Sequence, residues 1–168
     1  MKRFTIVITA LLFAGFLNET IAQAAKAPYV ADYSSSFTIG NPEYANKVLE
    51  MWKDFDDNQL MRHDSYFADT MVVWLPDASV TRGKAANMEG VMKYRATIAK
   101  VKSTIHAWVP LYSTDTKDNL VCIWGTEEDT YADGKVENRD LHEVWGFNKD
   151  GKVTMIRQWA AKFGQLPK

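Results

Sequence analysis

Cysteine is nearly absent from this sequence, since Cys122 is the single one among 168 residues. A disulfide within the sequence is therefore excluded, and a packed core must hold the fold. Cys122 stands in the apolar run 120–124, which we interpret as a buried thiol, with a reactive thiol as the alternative. The 6 Trp, 7 Tyr and 8 Phe residues supply bulk for that core, and some of them can line a cavity.

A strong charge of either sign is also missing. The 20 basic and 21 acidic residues give a net charge of −1, and the basic residues form no run. Nucleic-acid binding requires a basic patch, and attraction to anionic membranes requires a polybasic segment. The sequence therefore predicts no nucleic-acid partner, and no membrane partner once an N-terminal signal is removed.

Motifs for cofactors and metals are absent as well. The sequence contains no G-x-x-x-x-G-K-[ST], no G-x-G-x-x-G and no G-x-S-x-G pattern. His63, His106 and His142 form no pair four residues apart and no cluster with cysteine. We predict neither a cofactor nor a metal site, so any chemistry would rest on the protein's own side chains.

The N-terminus has the organisation of a secretory signal. Lys2 and Arg3 precede an apolar run of 14 residues at 4–17, and Ala22-Gln23-Ala24 follows as a small-x-small cleavage pattern. A membrane-spanning helix needs about 20 apolar residues, so this run is short for one. We predict a signal peptide over 1–24 and export to the periplasm or the medium, with an uncleaved signal anchor as the alternative.

The chain after the signal divides into a leader and one domain. Residues 25–40 show no sustained period and are interpreted as the leader, and the domain is predicted over 41–168. Asn41-Pro42 is typical of a helix start. An apolar stripe predicts an amphipathic helix over about 42–57, formed by Tyr44, Val48, Met51, Trp52 and Phe55. A second, short helix is predicted over 59–67.

The remaining pattern predicts an α+β fold. Short strands are expected at 71–75 and 79–82, followed by a helix within 84–101. Four long β-branched and aromatic runs then follow, at 103–113, 120–131, 135–148 and 152–163. Asp133-Gly134 and Asp150-Gly151 are typical hairpin turns between them. The four runs should form an antiparallel meander that curls through its twist and holds helices on its concave face.

Four segments stand in this order along the sequence: 66–74 (YFADTMVVW), 81–84 (TRGK), 142–153 (HEVWGFNKDGKV) and 157–159 (RQW). Together they resemble the nuclear transport factor 2-like superfamily, in particular its SnoaL-like (polyketide cyclase-like) and ketosteroid isomerase-like members. The resemblance covers about residues 41–163. It implies a cone-shaped, curved antiparallel sheet wrapped over N-terminal helices, the cystatin-like α+β roll, with a pocket at its open end. Because that shell hosts isomerases, cyclases, dehydratases, epoxide hydrolases and binding modules, fold alone does not fix function.

The resemblance also implies one catalytic position. Ketosteroid isomerase-like enzymes carry an acidic residue four before the Phe that ends the penultimate strand, and Glu143 stands four before Phe147. The isomerase base, a carboxylate directly before Pro, is replaced by Leu75, and the oxyanion-binding Tyr of the first helix corresponds to Met51. Steroid isomerisation is therefore disfavoured, whereas a cyclase that uses only the strand carboxylate remains open.

Strand alternation predicts the neighbours of Glu143 in the pocket. Arg139, Leu141 and Trp145 should share its face on the same strand. Our alignment of the hairpin places four residues of the partner strand on that face: Trp124, Thr126, Glu128 and Thr130. We expect Glu143 to act as general acid/base, with Arg139, Glu128, Trp124 and Trp145 binding the ligand. A structural salt-bridge network of Glu143, Glu128 and Arg139 is the alternative.

Two further residues are site candidates. His106, on the first long strand, is expected to reach the cavity and to assist catalysis by positioning an oxygen. Asp77 follows the first short strand near the expected mouth of the cone and is a candidate ligand-binding residue. A turn-forming role explains Asp77 equally well.

Three functions remain open at this point. The first is an exported, cofactor-free enzyme that acts on a small apolar molecule. The second is a module of the same fold that binds such a molecule without turnover. The third is a structural homodimer, in which apolar residues of the outer sheet face supply the contact: Val121, Ile123, Met155 and Trp159.

Overall fold

The computed structural model describes residues 27–162, and the predicted signal peptide over 1–24 lies outside the described residues. Among the described residues, those from 31 to 162 belong to one compact unit. Within the described part, no helix is long and apolar enough to cross a membrane.

Two helices pack against the sheet. Helix α1 covers Pro42–Asp56, and the side chain of Asn41 caps it by accepting the backbone N–H of Glu43 at 3.0 Å. Helix α2 covers Lys84–Arg95, inside the predicted range. The helix predicted over 59–67 is wrong, because this segment forms turns and a single 3₁₀ turn at Asp64–Tyr66. Its few apolar residues are too far apart to form the stripe that a helix needs for packing.

Seven strands form one curved, unclosed sheet in the order β1-β4-β5-β6-β7-β2-β3. Their bounds are Phe37–Ile39 (β1), Phe67–Trp74 (β2), Val80–Arg82 (β3), Ile98–Ser113 (β4), Asn119–Tyr131 (β5), Val136–Phe147 (β6) and Val153–Lys162 (β7). The predicted antiparallel meander is confirmed in β4 to β7. The sheet is mixed rather than antiparallel throughout, because β2 pairs with β7 in parallel. Strand β1 lies in the segment interpreted as a leader and pairs with β4.

The hairpin between β5 and β6 decides which residues face the helices. Thr130 pairs with Val136, so five residues, 131–135, separate these two paired positions, and Gly134 takes a positive φ of 83°. This register places Ile123 opposite Glu143. A two-residue Asp133-Gly134 loop would instead have placed Trp124 there. Because a shift of one residue exchanges the two faces of a strand, the predicted inner face of Trp124, Thr126, Glu128 and Thr130 is wrong.

The inner face of β5 belongs to the core. Val121 and Ile123 are fully buried, so the prediction that they contribute to an exposed contact face is also wrong. Gly125 allows α1 to lie close to the sheet, since a Cβ at this position would stand 2.8 Å from the Trp52 ring. This close approach fixes Trp52 above the concave face of the sheet.

The outer face of the sheet carries a row of stacked rings. His142 lies between two indoles, with its ring centroid 4.8 Å from that of Trp124 and 5.2 Å from that of Trp159. Both tryptophans are exposed. The homodimer stays a prediction, with Trp159 as the predicted contact residue that this face clearly exposes.

Candidate functional site

The helices and the concave sheet face enclose a cavity of about 520 Å³. This volume lies in the range of small-molecule sites. The wall is mostly apolar and includes Met51, Phe55, Phe67, Met71, Val73 and Ile156. Met51 and Leu75, which replace the isomerase tyrosine and carboxylate, both line the cavity. Those two positions therefore contribute only apolar surface.

Glu143 lies in the wall of this cavity and is 5% exposed. Its Oε2 accepts the indole N–H of Trp52 at 2.7 Å and that of Trp145 at 2.8 Å. Its Oε1 accepts the side-chain amide of Gln158 at 2.6 Å. The pairing of β6 with β7 brings the Gln158 amide to the Glu143 carboxylate, because the two residues stand opposite each other in the register. All three donors are neutral, and Arg139 pairs with Glu127 and Asp129, so the alternative of a salt-bridge network through Glu143, Glu128 and Arg139 is wrong.

Two opposing effects act on the Glu143 carboxyl group. Burial raises its pKa because the ionised form loses hydration, and the hydrogen bonds from Gln158, Trp145 and Trp52 lower it. Burial is the larger effect, so the pKa lies above its ordinary value. Such a carboxylate is a stronger base than one in water.

The raised pKa predicts a pH-dependent effect of Glu143→Gln on stability. In the wild type, ionised Glu143 is disfavoured by the fold, so stability is lost as pH rises from the ordinary pKa through the raised one. Glutamine has no such titration. We expect the free energy of unfolding of Glu143→Gln, relative to wild type, to increase between pH 4 and pH 8 in urea titrations. A difference that stays constant with pH would contradict the raised pKa.

A second polar cluster lines the same cavity. The Nη2 group of Arg139 contacts Glu127 Oε1 at 3.0 Å, and it also contacts Asp129 Oδ2 and the Tyr94 hydroxyl. Tyr94 in turn donates to Asp129 Oδ2 at 3.2 Å. Burial and the nearby Asp129 raise the pKa of Glu127 to about 7, against the opposing effect of Arg139. One guanidinium thus faces two buried carboxyl groups.

The cluster also contains two unsatisfied atoms. Asp129 is fully buried, and its Oδ1 has no hydrogen-bond partner among the described residues. Arg139 Nε is equally without one. Because a buried unpartnered polar atom costs free energy, these two atoms reduce the net stabilisation that the cluster provides.

The structure brings four of the predicted site residues to the cavity: Glu143, Arg139, Trp145 and Asp77. Asp77 is exposed in the turn after β2, where its Oδ1 accepts the N–H of Ser79 at 2.9 Å. That bond fits the turn-forming alternative, and the hydrogen bonds with Ser79 lower the pKa of Asp77.

Three predicted site residues lie elsewhere. Trp124 and Glu128 are exposed on the outer sheet face for the register reason given above. His106 is exposed and contacts the hydroxyl of Thr126, so the expectation that it reaches the cavity is wrong. The β4–β5 register is irregular between Ile105 and Ala107, and His106 lies at this irregularity.

Several cavity residues were not predicted as site residues. Trp52 appeared only as part of the core stripe of α1, and Gln158 only as part of the quoted 157–159 segment. Glu127 would have been found with the correct hairpin register. Tyr94 had no signal beyond its place in a helix. Within residues 27–162, no group of three or more His, Cys, Asp or Glu is arranged to hold a metal ion.

Comparison with solved structures identifies the fold. An NTF2-like protein of unknown function from Exiguobacterium sp. 255-15 is 19% identical, with a TM-score of 0.57, over 69% of this chain and 98% of that one. The chain has the NTF2-like fold. No family model and no curated protein matches the sequence.

One candidate enzyme and one enzyme among the solved structures share this NTF2-like fold. A candidate SnoaL-like polyketide cyclase from Shewanella denitrificans is 11% identical, with a TM-score of 0.59, over 72% of this chain and 92% of that one. The Δ5-3-ketosteroid isomerase of Mycobacterium sp. is 18% identical, with a TM-score of 0.54, over 69% and 91%. The expected NTF2-like, SnoaL-like and ketosteroid isomerase-like resemblance is confirmed at the level of fold.

Proposed function

We propose that this protein is an exported, cofactor-independent enzyme that transfers protons on a small apolar molecule, in an isomerisation, cyclisation or hydrolysis. Glu143 is the general acid/base. One observation carries the proposal: a buried carboxylate lies in the wall of an apolar cavity and is held by three neutral N–H donors. Among the described residues no ion pair fixes the charge of this group, and the three neutral donors orient it.

The geometry leaves room for a substrate proton. A carboxylate offers about four lone-pair positions, and the donors of Glu143 occupy three. The fourth position is on Oε1, for which Gln158 is the one donor within the described residues 27–162. Because Trp52 and Trp145 hold the other oxygen, the carboxylate is oriented before a substrate binds.

Two further observations support parts of the proposal. A ketosteroid isomerase and a candidate polyketide cyclase have the same fold. The N-terminal segment with Lys2, Arg3 and the following apolar run supports export, which would remove the protein from cytosolic nucleotide cofactors.

Hydrogen exchange tests the proposal without knowledge of the natural substrate. Cyclohexanone and cyclohex-3-enone are incubated with protein in D₂O, and loss of the α-proton signals is followed by NMR. We expect wild-type protein to accelerate exchange and Glu143→Gln to lower the rate about 100-fold or more, since a positioned base contributes about 10²–10⁴. Glu128→Gln removes the same charge from the outer face and should leave the rate unchanged.

The alternative is a module that binds a small molecule without turnover. Wild-type protein that binds these ketones but exchanges no deuterium would favour the alternative. Equal exchange rates in wild type and Glu143→Gln would overturn the assignment of the base.

A further inference from the structure

The charge that lines the cavity is one-sided. Four carboxylates contribute to its wall, Asp54, Asp77, Glu127 and Glu143, against one guanidinium, that of Arg139. The character of the ligand depends on how many of these charges the protein itself neutralises.

The charges of Asp54 and Asp77 are each stabilised without a ligand. Asp54 is bound by Arg62 at 3.0 Å and by His63 Nδ1 at 2.7 Å, on the side of α1 that faces the 57–66 turns. Asp77 is exposed to solvent in its turn. Neither residue therefore needs a counter-charge from a ligand.

Arg139 is already paired with carboxylates of the protein. Its cluster contains two carboxylates and one guanidinium, so the negative charge is in excess when both carboxylates are ionised. The guanidinium lies between Glu127 and Asp129, so a ligand anion placed there would meet two carboxylates. Coulomb repulsion makes that position unfavourable for an anion. This argues against the expectation that Arg139 anchors an anionic ligand.

Glu143 remains without a counter-charge. Within residues 27–162, no Lys, Arg or His forms an ion pair with it, and its three donors are neutral. A buried ionised carboxylate is costly unless an opposite charge accompanies it. Trp52 and Trp145 line the cavity beside it, and indoles attract cations through their ring faces.

We infer that the ligand of this cavity is a compact apolar molecule that carries a positively charged nitrogen, as a protonated amine or a quaternary ammonium group. The nitrogen would lie near Glu143 and supply the counter-charge that residues 27–162 do not provide there, and the apolar part would contact the wall around Met71 and Ile156. The inference rests on the proposed function to the extent that the cavity is the ligand site.

Three ligands of one shape and different charge test the inference. 1-Adamantylamine, 1-adamantanol and 1-adamantanecarboxylate share a rigid apolar cage and are cationic, neutral and anionic at pH 8. Isothermal titration calorimetry with the full-length protein gives the affinity of each. We expect the amine to bind about tenfold or more tighter than the alcohol, and the carboxylate to bind weakest.

Two variants assign the preference to Glu143. Glu143→Gln should reduce the ratio of amine to alcohol affinity to within about threefold, with the alcohol affinity retained. Glu128→Gln, with the same charge change on the outer face, should leave the ratio unchanged. A ratio that survives in Glu143→Gln would overturn the inference.

The possible failures are distinguishable. If the alcohol binds as tightly as the amine, the inference is wrong, while the proposed function still stands on hydrogen exchange. If none of the three ligands binds and no exchange occurs, the cavity is not a ligand site, and both proposals are overturned.

Discussion

Replacement of Arg139 by methionine is expected to destabilise the protein by about 3–5 kcal/mol at pH 8. Arg139 provides the cation for Glu127 and Asp129, both of them buried, and methionine would leave these carboxyl groups without it. Urea unfolding followed by far-ultraviolet circular dichroism measures the loss.

The pH dependence of the loss separates charge from packing. Without the cation the pKa of Glu127 rises further, so stability is lost as pH rises and returns as this group is protonated. The deficit of Arg139→Met should therefore shrink from pH 8 to pH 5, and Asp129→Asn in the same background should recover part of it. A deficit of equal size at both pH values would indicate lost packing instead. Lys135→Met, which removes an exposed cation, should have little effect.

Trp52→Ala is expected to cost about 3–5 kcal/mol of unfolding free energy. Trp52 is 8% exposed, lies against Gly125, and donates its indole N–H to Glu143 at 2.7 Å. The change removes a large ring from the core and one donor from a buried carboxylate. Chemical denaturation at pH 7 measures the effect.

Trp159→Ala is the matched control, because Trp159 is 42% exposed on the outer face. Trp159→Ala should lower the unfolding free energy by clearly less than Trp52→Ala does. Equal decreases in the two variants would contradict the position of Trp52 in the core. Trp52→Phe keeps most of the ring and removes the N–H, so it provides a folded variant if the alanine protein does not fold. We expect Trp52→Phe to lower the unfolding free energy by about 1–3 kcal/mol and to raise the pKa of Glu143 further.

Much of the fold was predictable because its signals are local. The cap at Asn41, the stripe of α1 and the two Asp-Gly turns each act over a few residues, and each predicted its element. The parallel pairing of β2 with β7 joins residues far apart in sequence, so no local signal indicated it. Strand β1 is only three residues long, too short for a periodic pattern.

The site was predictable along one strand and not across strands. Alternation on β6 correctly grouped Glu143 with Arg139, Leu141 and Trp145 in the cavity wall. The face of β5 required the length of the hairpin loop, which Asp133-Gly134 does not define by itself. Gln158 and Trp52 meet Glu143 only through tertiary packing. The neutral character of this hydrogen-bond set was therefore not predictable from the sequence.

The five residues that connect Thr130 to Val136 have an evolutionary consequence. Loop length and cavity chemistry are coupled in this hairpin, because the loop sets which alternate residues of β5 face inward. Loss of one loop residue would require a compensating bulge. Without one, Glu128 and Trp124 would replace Glu127 and Ile123 on the inner face of β5. Point mutation can adjust the ligand preference one side chain at a time, whereas a single-codon deletion would replace one whole strand of the wall. Homologues that keep this cavity chemistry should therefore vary in loop sequence and rarely in loop length.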